Sequence, residues 1–357
     1  MVDPLYNSRV NQVIGRWDDG VEPRLDEFAS RLEVALATVV PEFAPIRCLP
    51  AFLYNRPSIH EALNSLVKGN GADALVTVNL HPFSSQLASQ KMAQVVESFL
   101  SQNTEPLKSS RGEWMSVLKS GQSHSFKTLG VSRLGEEEPI AQFWAEKIAG
   151  EVSTGKDIVN GIIFAAPLPE SPFPWGKSYR QSVEMFAKRI MYALFNRAEC
   201  KQALPWRVAF YPSWTQSAPM WRIVNAYRAD TVKACLEDIR RRRGREGTTI
   251  IIPLAHLFDD FDTRAILPTI VGTSVSKKVK FPMMPHHICV SIQNHMRLVT
   301  AIDGTEDDRL GMRSLSGKSL LHSFVELLKN RLLMPSEKEK QYAQYRHTYA
   351  GLYCHRS

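Results

Sequence analysis

Gly161-Ile-Ile-Phe-Ala-Ala-Pro-Leu-Pro169 decides the fold. An apolar, β-forming run (Ile162, Ile163, Phe164) stops at a loop of small residues and prolines, as a buried parallel strand does at its carboxyl end. A second strand of the same kind, Thr248-Thr-Ile-Ile-Ile-Pro253, leads into Asp259-Asp260-Phe261-Asp262-Thr263. In open α/β sheets the crevice outside such strand ends is where ligands bind. One of these ends carries acids and the other carries nothing reactive.

Outward from these strands the chain alternates strand and helix, the pattern of a parallel sheet with crossover helices. A helix is expected from Glu22 to Thr38. Strands are expected at 46–54, 74–80, 158–164, 206–211, 248–254 and 287–293. Helices are expected at 59–67, 139–152, 177–195, 221–242 and 316–333. Ser58 suits the N-cap of the second helix, with Glu61 at its third position. The polar stretch 103–135 reads as an irregular excursion with a short helix around Trp114 and Val117-Leu118.

The composition is that of an ordinary globular protein: 357 residues, 44% hydrophobic and 22% charged, enough for two domains that each bury a core. No apolar window approaches the roughly eighteen residues of a membrane-spanning helix. Net charge is +8, which permits an anionic partner without demanding one. Cys48, Cys200, Cys235, Cys289 and Cys354 are scattered and odd in number, as in a chain whose thiols stay reduced in an organelle matrix or, otherwise, the cytoplasm. The opening Met-Val-Asp-Pro-Leu-Tyr has neither the basic start nor the apolar core of a signal peptide. Asp3, Asp18, Asp19 and Glu22 are more acid than an ordinary mitochondrial presequence carries.

Taken in order, the motifs resemble those of ferrochelatases, which insert Fe²⁺ into protoporphyrin. Tyr54-Asn55-Arg56-Pro57-Ser58-Ile59 with Glu61-Ala62-Leu63 is similar to the family's Tyr-Gly-Asn-Pro-Ser-Ile segment. Leu80-His81-Pro82-Phe83-Ser84-Ser85 is similar to its Tyr-Pro-Gln-Tyr-Ser loop. Arg207 to Phe210, Pro219-Met220-Trp221 and Asp230-Thr231 follow the run of its second domain, and Pro253 to Thr263 has the length of its Pro-x-x-Phe-x-x-Asp-His-x-Glu-Thr. The ordered set, spread over about residues 46–334, carries the resemblance; no single motif does. It implies an α/β fold of two Rossmann-like, chelatase-type domains with parallel sheets, plus a helical C-terminal extension. The expected segments are a reduced N-terminal helical segment at 1–45, a first domain at 46–152 and a second at 153–315. A helix at 316–334 returns to the first domain, and 335–357 form a charged, Tyr-rich tail. Tyr54, His81, Phe83 and Trp221 would then line a porphyrin cleft.

At the site the chain departs from the family. The family's histidine follows the Gly161–Phe164 strand and is thought to bind metal or accept pyrrole protons, tasks that suit a neutral imidazole. Here the loop reads Ala165-Ala166-Pro167-Leu168-Pro169, which can neither take a proton nor hold a metal. In the second loop Asp260 stands for a histidine and Asp262 for the glutamate. Asp262 is one methylene shorter, and a displacement of about 1 Å costs on the order of 100-fold in a positioned reaction. His256 is a candidate substitute ligand with Asp259 and Asp262; otherwise it is a strand-end histidine bonded to backbone, and Asp259 caps the next helix. The family also opens with an apolar strand and a long lip, which the first 45 residues are too few and too polar to supply. The missing strand would leave a sheet edge open to another chain.

Arg240, Arg241, Arg242 and Arg243, with Arg245, form the densest basic run. It reads either as a solvated helix end whose dipole favours cations or as a contact for RNA phosphate or anionic lipid. Tyr342, Tyr345, Tyr349 and Tyr353 share one face at helical spacing and suit docking on protein before stacking on bases. His286-His287 face opposite sides of a strand and cannot easily share a metal. The first expectation is therefore a ferrochelatase-like pseudoenzyme. It would have no catalytic residues, metal or cofactor and would act as a structural subunit of a mitochondrial assembly on the matrix side: a respiratory or ATP synthase complex, or a ribonucleoprotein. The alternatives are a divergent active ferrochelatase using Asp262 and His256, and an RNA- or nucleotide-binding module that reuses the cleft.

Overall fold

The structure, a computed structural model, describes residues 22–53, 56–70, 74–83, 89–108, 114–118, 125–131, 133–154, 158–168, 175–197, 204–212, 230–243, 247–257, 263, 266–267, 270, 296–298 and 319–333. It is mixed α/β, as expected at that level, and divides into two compact units. The larger comprises Met1–Arg24, His81–Gln86 and Arg133–Ser323; the smaller comprises Leu25–Leu80, Leu87–Ser132 and Phe324–Ser357.

In the smaller unit, α1 (Glu22–Val39) is followed by α2 (Ile59–Asn70), β1 (Ala74–Val78), α3 (Lys91–Asn103), β2 (Thr104–Lys108), β3 (Trp114–Leu118) and β4 (Ser125–Val131). The sheet order is β1-β4-β3-β2, with β1 parallel to β4 and the other two pairs antiparallel. Two expectations are corrected here. Residues 103–135 are not irregular: three strands run through them, and the expected short helix at Trp114 is β3. Of the strand expected at 46–54, the described residues 46–53 do not form a full strand; Phe52 makes one isolated bridge with Ser58. Pro50 interrupts that stretch, and a proline cannot donate to a ladder.

The expected start of α2 is present as a reciprocal cap. The Ser58 N–H donates to Glu61 Oε2 at 2.8 Å, and the Glu61 N–H donates to Ser58 Oγ at 3.2 Å. The Ser58 backbone amide, and after it the hydroxyl, hold the Glu61 carboxyl below the usual carboxylate range. Ile59, Leu63 and Val67 on α2, Leu75 on β1 and Phe99 on α3 are buried together. The final helix, α7 (Leu320–Leu333), starts at Ser319, whose hydroxyl accepts from the His322 N–H at 3.1 Å. Within the smaller unit its Phe324 meets Phe28 edge-on at 5.4 Å.

The larger unit contains α4 (Glu138–Thr154), β5 (Val159–Pro167), α5 (Trp175–Phe195), β6 (Trp206–Tyr211), α6 (Val232–Arg243), β7 (Thr248–Pro253) and β8 (Met296–Leu298). The sheet order is β6-β5-β7-β8, and every described pair is parallel. The strand expected at 287–293 lies outside the described residues; the described strand beside β7 is 296–298. Numbered within this unit the order is 2-1-3-4, that of a doubly wound sheet with β5 at its centre. Successive β5 side chains serve opposite faces. Ile163 and Ala165 pack with Ala209, Tyr211 and Ile251 against Val232, Cys235, Leu236 and Ile239 of α6. Ile162, Phe164 and Ala166, alternating with them, are buried as well. Burial on both faces explains why β5 and β7 read as continuous apolar runs.

Candidate functional site

In a 2-1-3-4 sheet the order reverses between the first and third strands, and the crevice at their carboxyl ends is the ligand position. Here that point lies between the ends of β5 and β7. The stretch after Phe164 was expected to be a loop, but it is strand. Ala165 is in register with Ala209 and Pro253, Ala166 with Phe210, and Pro167 with Tyr211. The Leu254 N–H donates to the Ala165 carbonyl at 2.9 Å, and the Leu168 N–H to the Tyr211 carbonyl at 2.7 Å. Pro167 has no N–H, so Leu168 supplies the closing bond. Ala165 and Ala166 are fully buried and present only methyl groups.

His256 stands just past β7, held by its N–H on the Pro253 carbonyl at 3.2 Å. Its ring is not satisfied by backbone alone, as the simpler expectation had it. Nε2 shares a hydrogen bond of 2.6 Å with the hydroxyl of Tyr211, the last residue of β6. Tyr211 is fully buried on the α6 face with Ala165. Because β6 and β7 both flank β5, about 10 Å separates their axes. The two rings close that gap over the end of the middle strand, where alanine at 165 leaves room. With a neutral imidazole the phenol donates, Nε2 accepts and the ring proton resides on Nδ1. Tyr211 was absent from the candidates read in the sequence. The signal was there in the Tyr211-Pro212 that closes a buried strand, but pairing with a residue forty-five positions on is a property of the sheet order.

Tyr211→Phe keeps the ring and removes the hydroxyl, leaving a half-buried imidazole nitrogen without that partner. The expected cost is about 1–2 kcal/mol, seen as a lower urea midpoint with an unchanged slope.

Most of the other expected site residues are not among the described ones. Asp259, Asp260, Asp262, Tyr54, Trp221, Arg245, His286, His287 and the tail residues Tyr342, Tyr345, Tyr349 and Tyr353 lie outside the described residues. His81 is half-buried with Nδ1 2.9 Å from the Phe83 carbonyl oxygen. Phe83 is buried in the core of the larger unit, edge-on to Tyr179 at 5.7 Å and to Phe186 at 6.0 Å. Among the described residues, no group of three or more His, Cys, Asp or Glu could hold a metal ion.

Arg180 of α5 was not anticipated. It bridges Glu184 at 2.8 Å and Asp230 at 2.9 Å, with its guanidinium 6.0 Å from the Phe210 ring centroid. Thr231, next to Asp230, caps α6 by accepting the Ala234 N–H at 3.2 Å.

The arginine run closes α6. Since α6 returns from the end of β6 to the start of β7, Arg240–Arg243 sit at the amino edge of the sheet, opposite the switch point. Arg241, Arg242 and Arg243 are exposed and Arg240 is half-buried. Arg242 is bonded to Asp238 at 3.0 Å, and Arg207 at the start of β6 reaches the same carboxylate at 2.8 Å. Burial pushes the Asp238 carboxyl up. Hydrogen bonds from Arg207 and then Arg242 outweigh this and hold it below its ordinary value. A depressed folded-state pKa gives stability that is complete above the ordinary carboxylate range and fades as pH falls through the lower value. Asp238→Asn should therefore lower the denaturation midpoint at pH 7, and the gap to the native chain should shrink below about pH 4.

Comparison with protein-family models gives no match, and no curated protein matches the chain in sequence.

Proposed function

We propose that this chain is a ferrochelatase-like protein, built of two Rossmann-like chelatase-type units, that does not insert iron and serves as a structural subunit of a larger mitochondrial assembly. The observation that carries this reading is the end of β5. It is strand, with Ala165 and Ala166 buried and Pro167 half-buried, where the resemblance implies that a chelatase would carry a proton-accepting, metal-holding imidazole. The neighbouring imidazole, His256, already shares Nε2 with Tyr211. The ordered motifs from Tyr54 to Thr263 support the ancestry.

A second reading, iron insertion through His256 and Asp262, draws on the presence of that imidazole beside the switch point. The RNA- or nucleotide-binding alternative loses support, because the arginine run stands at the opposite edge of the sheet and its Arg242 is bonded to Asp238.

Size-exclusion and native electrophoresis of mitochondrial extract test the subunit role. The chain should migrate with a particle many times its 40.4 kDa mass. Migration as a free polypeptide, or fractionation outside mitochondria, would overturn it.

A further inference from the structure

The arginine run that closes α6 carries more charge than a helix end accounts for. The carboxyl end of a helix presents roughly half an elementary negative charge. Four guanidinium groups, Arg240 to Arg243, stand there, whereas α6 holds two carboxylates, Glu237 and Asp238. Asp238 is shared by Arg242 and Arg207, one carboxylate between two cations. The helix dipole and Asp238 together leave positive charge in excess at the amino edge of the larger unit's sheet, in a chain of net +8.

Geometry and an apolar neighbour select the anion. Successive residues of a helix turn by about 100° round its axis. Arg240 to Arg243 therefore spread round the end of α6 instead of lining one side, with Arg241, Arg242 and Arg243 exposed. A nucleic acid strand is held by a groove that tracks its backbone and by aromatic rings that stack on its bases. Cations spread round a helix end meet a flat charged surface together. Ile158, just before β5 at the same edge, is 75% exposed. Its carbonyl accepts the Thr248 N–H at 2.7 Å, which ties it to the start of β7, the strand that follows the arginines. An isoleucine held in water near arginines suits a bilayer interface, where apolar side chains enter the headgroup boundary and cations meet lipid phosphate. We propose that this edge of the larger unit rests on an anionic lipid bilayer through Arg241, Arg242, Arg243 and Ile158. The contact is peripheral and stands apart from the subunit role, which neither requires it nor is required by it.

The test floats the purified full chain on a density gradient with phosphatidylcholine vesicles, plain or containing about one-third phosphatidylglycerol. The chain should rise with the anionic vesicles alone, and rising salt should release it as the screening length shortens. Arg241→Glu should lower the affinity for anionic vesicles about tenfold, and Ile158→Ser about threefold. Lys233→Glu, exposed at the other end of α6, should leave it unchanged. All three variants should melt with the native chain, since each replaced side chain is exposed. A native chain that ignores anionic vesicles, or floats equally with neutral ones, overturns the inference. So does flotation insensitive to Arg241→Glu or to Ile158→Ser. A mixed-sequence RNA, matched in phosphate, that binds more tightly than the vesicles and displaces them also overturns it, by making the arginines a nucleic acid contact.

Discussion

Phe164→Ala lowers the unfolding free energy of the larger unit by about 3–5 kcal/mol, as an equilibrium urea titration followed by near-UV circular dichroism will show. The residue is fully buried near the middle of β5, with Trp206 of β6 edge-on at 6.0 Å. The site is slow to collapse, because β6 and β7 pin the backbone on either side through parallel ladders that extend to Ala165 and beyond. The cavity term therefore adds to the lost transfer term. With total stabilities of about 5–15 kcal/mol, the loss would take a large share of what holds this unit folded. A change below about 1 kcal/mol would contradict the central position given to β5.

Gly161→Val acts on the same strand from the other direction. A methyl carbon built at Gly161 would lie 2.8 Å from the Pro205 carbonyl oxygen and 3.1 Å from the Ile239 side chain. That carbonyl accepts the Ile162 N–H at 3.0 Å, so relieving the clash stretches a bond that joins β5 to the segment entering β6. Overpacking of this kind costs about 1–3 kcal/mol, and the backbone contact puts the expected value at the upper end. The readout is the same titration, with amide exchange along β5 and β6 accelerated. Exchange unchanged in those strands would mean that the β5–β6 seam tolerates the side chain.

How far the sequence spoke for this fold depended on where local preference and tertiary demand agreed. The apolar runs at 162–164 and 250–252 are β-forming and buried on both faces, so strand and sheet type were legible together. Ala165-Ala166-Pro167 has no such preference and reads as a loop, yet hydrogen bonds from strands on both sides extend β5 through it. The reverse holds at 46–54, where an apolar stretch promised a strand and Pro50 helped reduce it to one bridge. Polar residues hid β2 and β4, while the apolar Trp114–Leu118 of β3 was short enough to read as a helix, because the register that pairs Thr104 with Leu118 and Met115 with Lys127 is set by the sheet. Helix α3, whose Phe99 completes the core of the smaller unit, went unread although Met92, Val95, Val96, Phe99 and Leu100 recur at helical spacing.

The candidate site was legible in part. His256 and the inert end of β5 could be named in the sequence, through the resemblance to ferrochelatases. Tyr211 could not, since only the order β6-β5-β7 places its hydroxyl against that ring. The arginine run could be read two ways in the sequence, as a helix end or as an anion contact. Asp238, two to five positions ahead of each helical arginine, binds Arg242 and draws Arg207 with it. Four cations at a helix end also suit its dipole, so the run has a structural role whatever else it touches.

Incubating the purified full chain with protoporphyrin and Fe²⁺ under anaerobic conditions, beside a working ferrochelatase, puts the inertness of the β5 end to direct measurement. Haem formation should stay at the rate of the protein-free control and be the same for the native chain and for His256→Ala. Turnover near that of the working enzyme, abolished by His256→Ala, would show instead that the imidazole bonded to Tyr211 does the chemistry.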